Sequence, residues 1–326
     1  MARRVRELFA LVTLAPVLAV FAGPTRAETY PARSVRMIVP FAAAGPTDVI
    51  GRIVAQKLSE DLGQQFYVEN VPGGGGNTGT AQAAKAPADG YTILVVSTGF
   101  IINPSLYPKI PYDPFKDFAP VTLIAASPNV LSVTPSVPAK SVQELIALIK
   151  ANPGKYSFAQ PGTGSTPHLS GELFKLSFGL DLVMVPFTGA GPAITSTIGG
   201  HTPIAFTALP PALASIQEGK LRGLAVLTGK RVTGLPDVPT MAEAGVPDQE
   251  ADTLTGIVVP VGTPPEIVEL LHREIVKIVA LPDMQEKLAA LGFISIADTP
   301  AEFAARLKSE FAKWAKVIKD AGIKAD

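Results

Sequence analysis

Residues Met37 to Leu58 read Met-Ile-Val-Pro-Phe-Ala-Ala-Ala-Gly-Pro-Thr-Asp-Val-Ile-Gly-Arg-Ile-Val-Ala-Gln-Lys-Leu, and within them the hydrophobic period changes once. Val35 to Val39 is a short run rich in β-branched residues, the pattern of a buried strand. From Thr47 onward Val49, Ile50, Ile53, Val54 and Leu58 fall on one helical face. Between them Ala42 to Gly45 is a tight turn of small residues. With Gly45 as the N-cap, Pro46 takes the first helical position and Asp48 sits in the first turn, favourable against the helix dipole. A strand that passes through small residues into a helix start aims unpaired backbone N–H groups at one spot, and such a spot favours an anion. This stretch reads as half of a carboxylate-binding site.

The same logic returns later. Tyr156 to Ala159 is a strand, Gln160 to Thr166 a polar glycine-bearing turn, and Leu169, Leu173, Phe174 and Leu176 mark the helix that follows. Strands are also expected at Phe66 to Asn70, Tyr91 to Val96, Leu182 to Pro186, Ile204 to Thr207 and Gly223 to Leu227. Val121 to Ala126 and Val130 to Thr134 adjoin, which predicts a crossing between lobes near Ser127-Pro128-Asn129, with a return near Ile257 to Pro260. Ser141/Glu144, Thr263/Glu266 and Thr299/Glu302 have helix-cap spacing. Residues 103–120 are dense in proline and read as an ordered, irregular connection. Alternating strands and helices predict an α/β fold with mostly parallel sheets, in which ligands sit beyond the carboxyl ends of strands.

The chain opens with Arg3, Arg4 and Arg6, an apolar run from Leu8 to Phe21, and Thr25-Arg26-Ala27. That is the layout of an export signal cleaved near Ala27, by the general or the twin-arginine route. The run is shorter than the roughly 20 residues that span a bilayer, and Pro16 interrupts it. The sequence contains no cysteine, which excludes disulfides, thiol catalysis and lipid attachment through cysteine. Removing residues 1–27 leaves 299, which suits two lobes better than one core. Net charge is zero and no basic cluster follows the signal, so nucleic acid is not an expected partner.

Gly74-x-Gly76-x-x-Gly79 matches the spacing of a dinucleotide fingerprint, but Tyr91 to Val96 ends in Ser97-Thr98-Gly99 with no acidic residue for a ribose. These glycines are better suited to a loop passing close to a ligand or a partner lobe. His168, His201 and His272 stand apart, without metal-ligand spacing, and no cofactor or metal is expected. Ser165 and His168 lie one helical turn apart, which leaves an exported hydrolase as a rival reading, although no G-x-S-x-G elbow accompanies them. Phe41, Phe100 and Phe187 each follow a strand, where they either line a cleft or pack in a core.

Val39-Pro40-Phe41-x-x-x-Gly45-x-Thr47-Asp48, Val68-Glu69-Asn70-x-Pro72-Gly73-x-Gly75-Gly76-Asn77 and Ala84-Lys85-Ala86-Pro87-x-Asp89-Gly90-Tyr91 closely resemble the Bug family. So do Asn103-Pro104-Ser105-Leu106-Tyr107, Pro111-Tyr112-Asp113-Pro114-x-Lys116-Asp117-Phe118 and the run from Leu235 to Gly245. These are periplasmic binding proteins of tripartite tricarboxylate transporters. The resemblance implies a two-lobed Venus-flytrap fold of type II, with residues 28–127 and 254–326 in one lobe and 128–253 in the other. It implies a non-enzymatic, monomeric receptor that hands a small organic acid to integral membrane subunits of a transporter, or reports to a sensor kinase. The expected ligand-binding residues are Phe41, Ala44, Gly45, Thr47, Asp48, Ser97, Thr98 and Phe100 on the first lobe. On the second they are Gly162, Thr163, Gly164, Ser165, Thr166, His168, Gly189, Ala190 and Thr207. Three departures bear on the ligand: Pro46 replaces a glycine, Thr207-Ala208 an Asp-Asn pair, and Leu254-Thr255 an aromatic pair. They argue against an amino acid and for an acid with an apolar or aromatic body, with dicarboxylates and tricarboxylates kept open.

Overall fold

The computed structural model describes residues 30–41, 43 and 46–325. The expected signal at 1–27 and the turn residues Ala42, Ala44 and Gly45, with the expected Gly45 cap, lie outside the described residues. In chain order the elements are β1 (Val35–Val39), α1 (Pro46–Leu62), β2 (Phe66–Asn70), α2 (Asn77–Ala84), β3 (Thr92–Ser97), α3 (Gly99–Leu106), β4 (Phe118–Ser127), β5 (Asn129–Val133), α4 (Val142–Lys150), β6 (Ser157–Gln160) and α5 (Thr166–Phe178). They continue as β7 (Val183–Pro186), α6 (Ala190–Ile198), β8 (Ile204–Ala208), α7 (Leu209–Gln217), β9 (Arg222–Val226), β10 (Thr253–Pro260), α8 (Pro265–Ala280), α9 (Pro282–Ala290), β11 (Ile294–Ser295) and α10 (Pro300–Ala321).

Two sheets result. One has the order β11-β4-β10-β3-β1-β2, the other β7-β6-β8-β5-β9. Both are mixed, where the sequence predicts mostly parallel pairing. β1 pairs parallel with β2 and β3, and β6 with β7 and β8, as strand–helix–strand units require. β10 lies antiparallel between β3 and β4, and β5 antiparallel between β8 and β9. The antiparallel part of each sheet is where the chain leaves for the other sheet and returns beside its own exit. The crossing falls at Pro128, between β4 and β5, as expected.

Strand alternation divides the first lobe into two layers. Val35, Met37 and Val39 pack on Ile50, Val54 and Leu58 of α1 and on Leu271, Ile275 and Ile278 of α8. Ile38 points the other way, into a core that includes Phe303, Leu307 and Trp314 of α10. Trp314 is fully buried and satisfies its indole N–H on Glu310 at 2.8 Å.

Two of the three expected caps form. Thr299 accepts from Glu302 N–H at 3.2 Å and Glu302 accepts from Thr299 N–H at 2.9 Å, a complete capping box. Ser141 caps α4, but the Glu144 carboxylate takes Lys140 N–H instead of closing the box. Thr263 does not cap α8; its hydroxyl donates to the Pro260 carbonyl, and the helix starts on the rigid Pro264-Pro265 pair. The largest difference is α3, which occupies a segment read as irregular. Pro104 lies inside it and removes the helical donor that would reach Phe100 C=O. The Tyr112 hydroxyl stands 3.4 Å from that carbonyl instead. Replacing Thr299 by Ala removes half of the α10 box and is expected to cost about 1 kcal/mol in urea unfolding; an unchanged midpoint would show that the box contributes nothing.

Candidate functional site

A cavity of about 310 Å³ opens between the sheets. Phe41, Gly75, Ser97, Gly99, Asn103, Leu106 and Tyr107 line it from the first lobe, Pro161 to Pro167 from the second, and Thr253 from the crossing strand. None of these described residues carries a charged side chain.

The polar groups are mostly backbone. At the start of α5 several N–H groups are already occupied: Gly162 donates to Gln160 Oε1 at 2.5 Å, Gly164 to His168 Nδ1 at 3.0 Å and Ser165 to Gly162 C=O at 3.1 Å. Thr163 and Thr166 keep N–H groups with no partner among the described residues, beside their own hydroxyls. Across the cavity Gly99 opens α3 with another such N–H group, since the first bonds of that helix run from Ile101 and Ile102 to Thr98 C=O; Phe100, next to it, does not line the cavity. Two helix starts from opposite lobes thus present partial positive charge to one space.

The lobes touch at its rim. A Cβ on Gly164, whose φ is +78°, would stand 2.1 Å from Leu106 Cδ2, so only glycine fits the turn in this arrangement. Gly75 is similarly confined, since a Cβ there would meet the Tyr107 hydroxyl at 2.8 Å. The glycine run is expected to pass close to a ligand or the partner lobe; Gly75 lines the cavity, but its close neighbour is α3 and Tyr107 of its own lobe.

The predicted residues separate by position. Phe41, Ser97, Gly162, Thr163, Gly164, Ser165 and Thr166 line the cavity. Asp48 lies behind its wall: its carboxylate accepts from Asn70 Nδ2 at 2.8 Å and Arg52 Nε at 3.0 Å. Asn70 in turn donates to the Phe41 carbonyl at 3.0 Å, so Asp48 steadies the loop that carries Phe41. Thr47 is buried beside it. Thr98 accepts Leu254 N–H at 2.8 Å and stands 3.4 Å from Asp252 C=O, pinning the crossing strand. Phe100 is 4 % exposed and packs on Tyr112 and Phe118 with ring centroids at 5.9 and 5.3 Å. Phe187 packs on Ala159, Ala193 and Ala205. Gly189 and Ala190 open α6, and Thr207 is buried in β8 opposite Val130; none of the three lines the cavity. Ala44 and Gly45 lie outside the described residues.

His168 and Ser165 meet, but not as a catalytic pair. Ser165 Oγ accepts the backbone N–H of His168 at 3.3 Å, and the ring nitrogen Nδ1 accepts from Gly164. Burial, helped by Lys175, pushes the imidazole down to about 4. His168 is therefore a neutral group that shapes the turn. Gly75, Gly99, Asn103, Leu106, Tyr107, Pro161, Pro167 and Thr253 line the cavity without being among the expected ligand-binding residues. The Asn103-Pro104-Ser105-Leu106-Tyr107 motif held the signal, and Pro104 hid the helix that carries it.

Behind the crossing strand is a second cavity, about 220 Å³, lined by Glu250, Asp252, Arg306, Ser309 and Glu310 among others. Asp252 Oδ1 is buried there without a hydrogen-bond partner. Burial pushes this carboxyl up to about 7, with Arg306 and Lys313 opposing and Glu310 and Glu250 reinforcing.

Comparison with known proteins places this geometry. Residues 50–323 match the model of the tripartite tricarboxylate transporter family receptor. BugT of Bordetella pertussis is 39% identical over 320 residues, which cover 98% of each chain. Among solved structures, an R. palustris protein with adipate is 38% identical with a TM-score of 0.80, covering 90% of this chain and 99% of that one. MatC from Rhodopseudomonas palustris with bound malate is 30% identical with a TM-score of 0.75, covering 89% and 100%. Two lobes around a cleft are thus those of the periplasmic binding-protein fold. The chain belongs to the Bug, or TctC-type, family of tripartite tricarboxylate transporter receptors.

His168 and Asp252 make opposite contributions to stability. The His168 term is present in full above the ordinary value of 6.5 and is lost as pH falls towards about 4. The Asp252 term is present in full below 3.8 and is lost as pH rises through about 7. Asp252→Asn is expected to raise the unfolding free energy at pH 8 by at least about 1 kcal/mol and to change it little at pH 4. His168→Asn should flatten the acid side. Denaturant titrations across this range check both, and parallel curves for mutant and wild type would refute the assignments.

Proposed function

We propose that the protein is an exported, periplasmic receptor that closes its two lobes over a small organic carboxylate and delivers it to the integral membrane subunits of a tripartite transporter. The observation that carries this reading is the set of unpartnered N–H groups at the cavity-lining residues Gly99, Thr163 and Thr166, drawn from two facing helix starts. Phe41, Leu106 and Pro161 supply apolar surface for the body of the acid, and the hydroxyls of Ser97, Thr163, Ser165 and Thr166 supply further donors. Relatives of 38% and 30% identity carry adipate and malate in their solved structures, which supports a carboxylate here too. In this reading residues 28–127 and 254–326 form one lobe and 128–253 the other, in keeping with the membership of the two sheets. Residues 1–27 are removed on export.

A thermal-shift panel of organic acids tests the proposal. An acid at 100 times its dissociation constant stabilises the fold by about 2.7 kcal/mol, and it should be recovered unchanged. Stabilisation by no acid, or consumption of one, would count against the receptor. Gly164→Ala should weaken binding of an acid found in that panel by about tenfold or more, because Leu106 must move before the lobes meet. Calorimetric titration reads this directly, and unchanged affinity would mean that the closed contact at Leu106 is not part of the bound state.

A further inference from the structure

The returning passage between the lobes narrows to one residue. Ala251 is bonded into the second lobe: its N–H donates to Leu227 C=O at 2.8 Å and its carbonyl accepts from Asn129 Nδ2. Thr253 and Leu254 are bonded into the first, through the ladder with Ser127 and through Thr98, which accepts Leu254 N–H at 2.8 Å. Only Asp252 stands between. On the outward passage the corresponding residue is Pro128, between Ser127 of β4 and Asn129 of β5, and its ring fixes φ. A turn of one lobe against the other would therefore fall on the backbone of Asp252, as hinge motions fall on a few residues at the ends of elements.

The side chain of that residue lines the cavity of about 220 Å³ against α10. Its Oδ1 is buried and has no hydrogen-bond partner among the described residues. Four charged groups act on it. Arg306 and Lys313 of α10 favour the ionised carboxyl, while Glu310 of α10 and Glu250 of its own segment oppose it. Both cations are engaged elsewhere: Arg306 Nε lies 3.7 Å from Asp298 Oδ2, and Lys313 donates to the Glu250 carbonyl. A carboxylate kept dry and without a donor is costly, so this arrangement of the lobes favours the neutral acid. Burial accordingly pushes the group up to about 7. The same arrangement sets Gly164 against Leu106 at the rim of the cleft.

We propose that Asp252 is a positioning residue for lobe closure, a proton-binding group whose neutral form favours the closed arrangement and whose ionised form favours the open one. The inference rests on the reading of the protein as a receptor that closes over an acid, and adds how closure is regulated. Separating the rim at Leu106 and Gly164 turns the backbone at Asp252, shifts its carboxyl against α10 and lets water reach Oδ1. The ordinary acidity of a carboxyl then returns. Closure takes up a proton and opening gives it back. The closed form has the higher value, so its advantage is complete in acid and is lost as pH rises through about 7. Affinity for the acid falls over the same range and levels off above it. Thr253, the next residue, lines the cavity between the sheets, so proton and acid act on neighbouring residues of one strand end.

The experiment is calorimetric titration at pH 6 and pH 8 with adipate, with malate and with any other acid that stabilises the protein. Wild type should bind about fivefold more weakly at pH 8. Near pH 6.5 its binding enthalpy should differ between two buffers of unlike ionisation enthalpy by the amount that proton uptake requires. Asp252→Asn should bind within about twofold at the two pH values and lose the buffer dependence. Ionisation of the acid itself is common to both proteins and cancels in this comparison. His168 changes at about 4, below this range. Glu310→Gln removes a charge that reinforces the neutral form and should move the midpoint of the profile to lower pH. Wild-type binding that is independent of pH and takes up no proton overturns the role of Asp252 and leaves the receptor reading standing; this result needs no variant to fold. A pH profile that survives Asp252→Asn, or a midpoint unmoved in Glu310→Gln, overturns it as well. Failure of every acid to bind overturns the receptor reading and this one with it.

Discussion

Both passages of the chain between its sheets run side by side in one ladder, and a threonine hydroxyl fastens the return to β3. β4 leaves the first sheet at Ser127 and β10 re-enters it at Thr253, the two being paired in the ladder. Thr98, at the end of β3, accepts the N–H of Leu254 and approaches the carbonyl of Asp252. The passage between the lobes is therefore backbone held in a hydrogen-bonded ladder, not a loose linker. Alternation along that strand then divides two environments: Thr253 faces the cavity between the sheets, while Asp252 and Leu254 face α10. Lys313 of α10 donates to the Glu250 carbonyl and Gln249 donates to Ser177 of α5, so the back of the returning segment is tied to both lobes.

Among the described residues the lining of the cavity offers dipoles and no ions. A guanidinium or ammonium opposite a carboxylate gives a strong interaction but must itself be desolvated when the lobes close. Backbone N–H groups at a helix start carry no such net charge, and the helix holds them in place before the ligand arrives. Ser165 and His168 are then scaffold: one caps α5 and the other holds Gly164, leaving the Thr163 and Thr166 donors facing the cavity. The buried imidazole suits this task because it stays neutral as an acceptor.

Much of this was legible from local pattern. β1 with α1 and β6 with α5 follow from a change of hydrophobic period, and the crossing at Pro128 from two adjoining apolar runs. The Thr299 box is a matter of spacing. What escaped depended on contacts between distant residues. α3 contains a proline, and its disturbed carbonyl is approached by Tyr112, eight residues beyond Pro104; no local rule reports that. Phe100 follows a strand as a cleft residue would, yet the rings of Tyr112 and Phe118 draw it into the core. Asp48 has the position of a dipole partner, but Asn70 and Arg52 determine which way its carboxylate turns.

The strand order of the first sheet carries a consequence for how the molecule comes into being. β10 lies between β4 and β3, in the middle of that sheet, yet it follows more than a hundred residues of the other lobe. Until residue 260 has left the ribosome, β3 and β4 have no common neighbour and the first sheet exists only as separate fragments. Such pairing, as of Thr255 with Ser97, is strongly non-local, and non-local pairing slows folding. The inserted lobe, whose strands are contiguous in sequence, is free to form first. A chain built this way stays unfinished through most of its synthesis, and the first sheet is covered on one side only when α10, the longest helix among the described residues, arrives at its end.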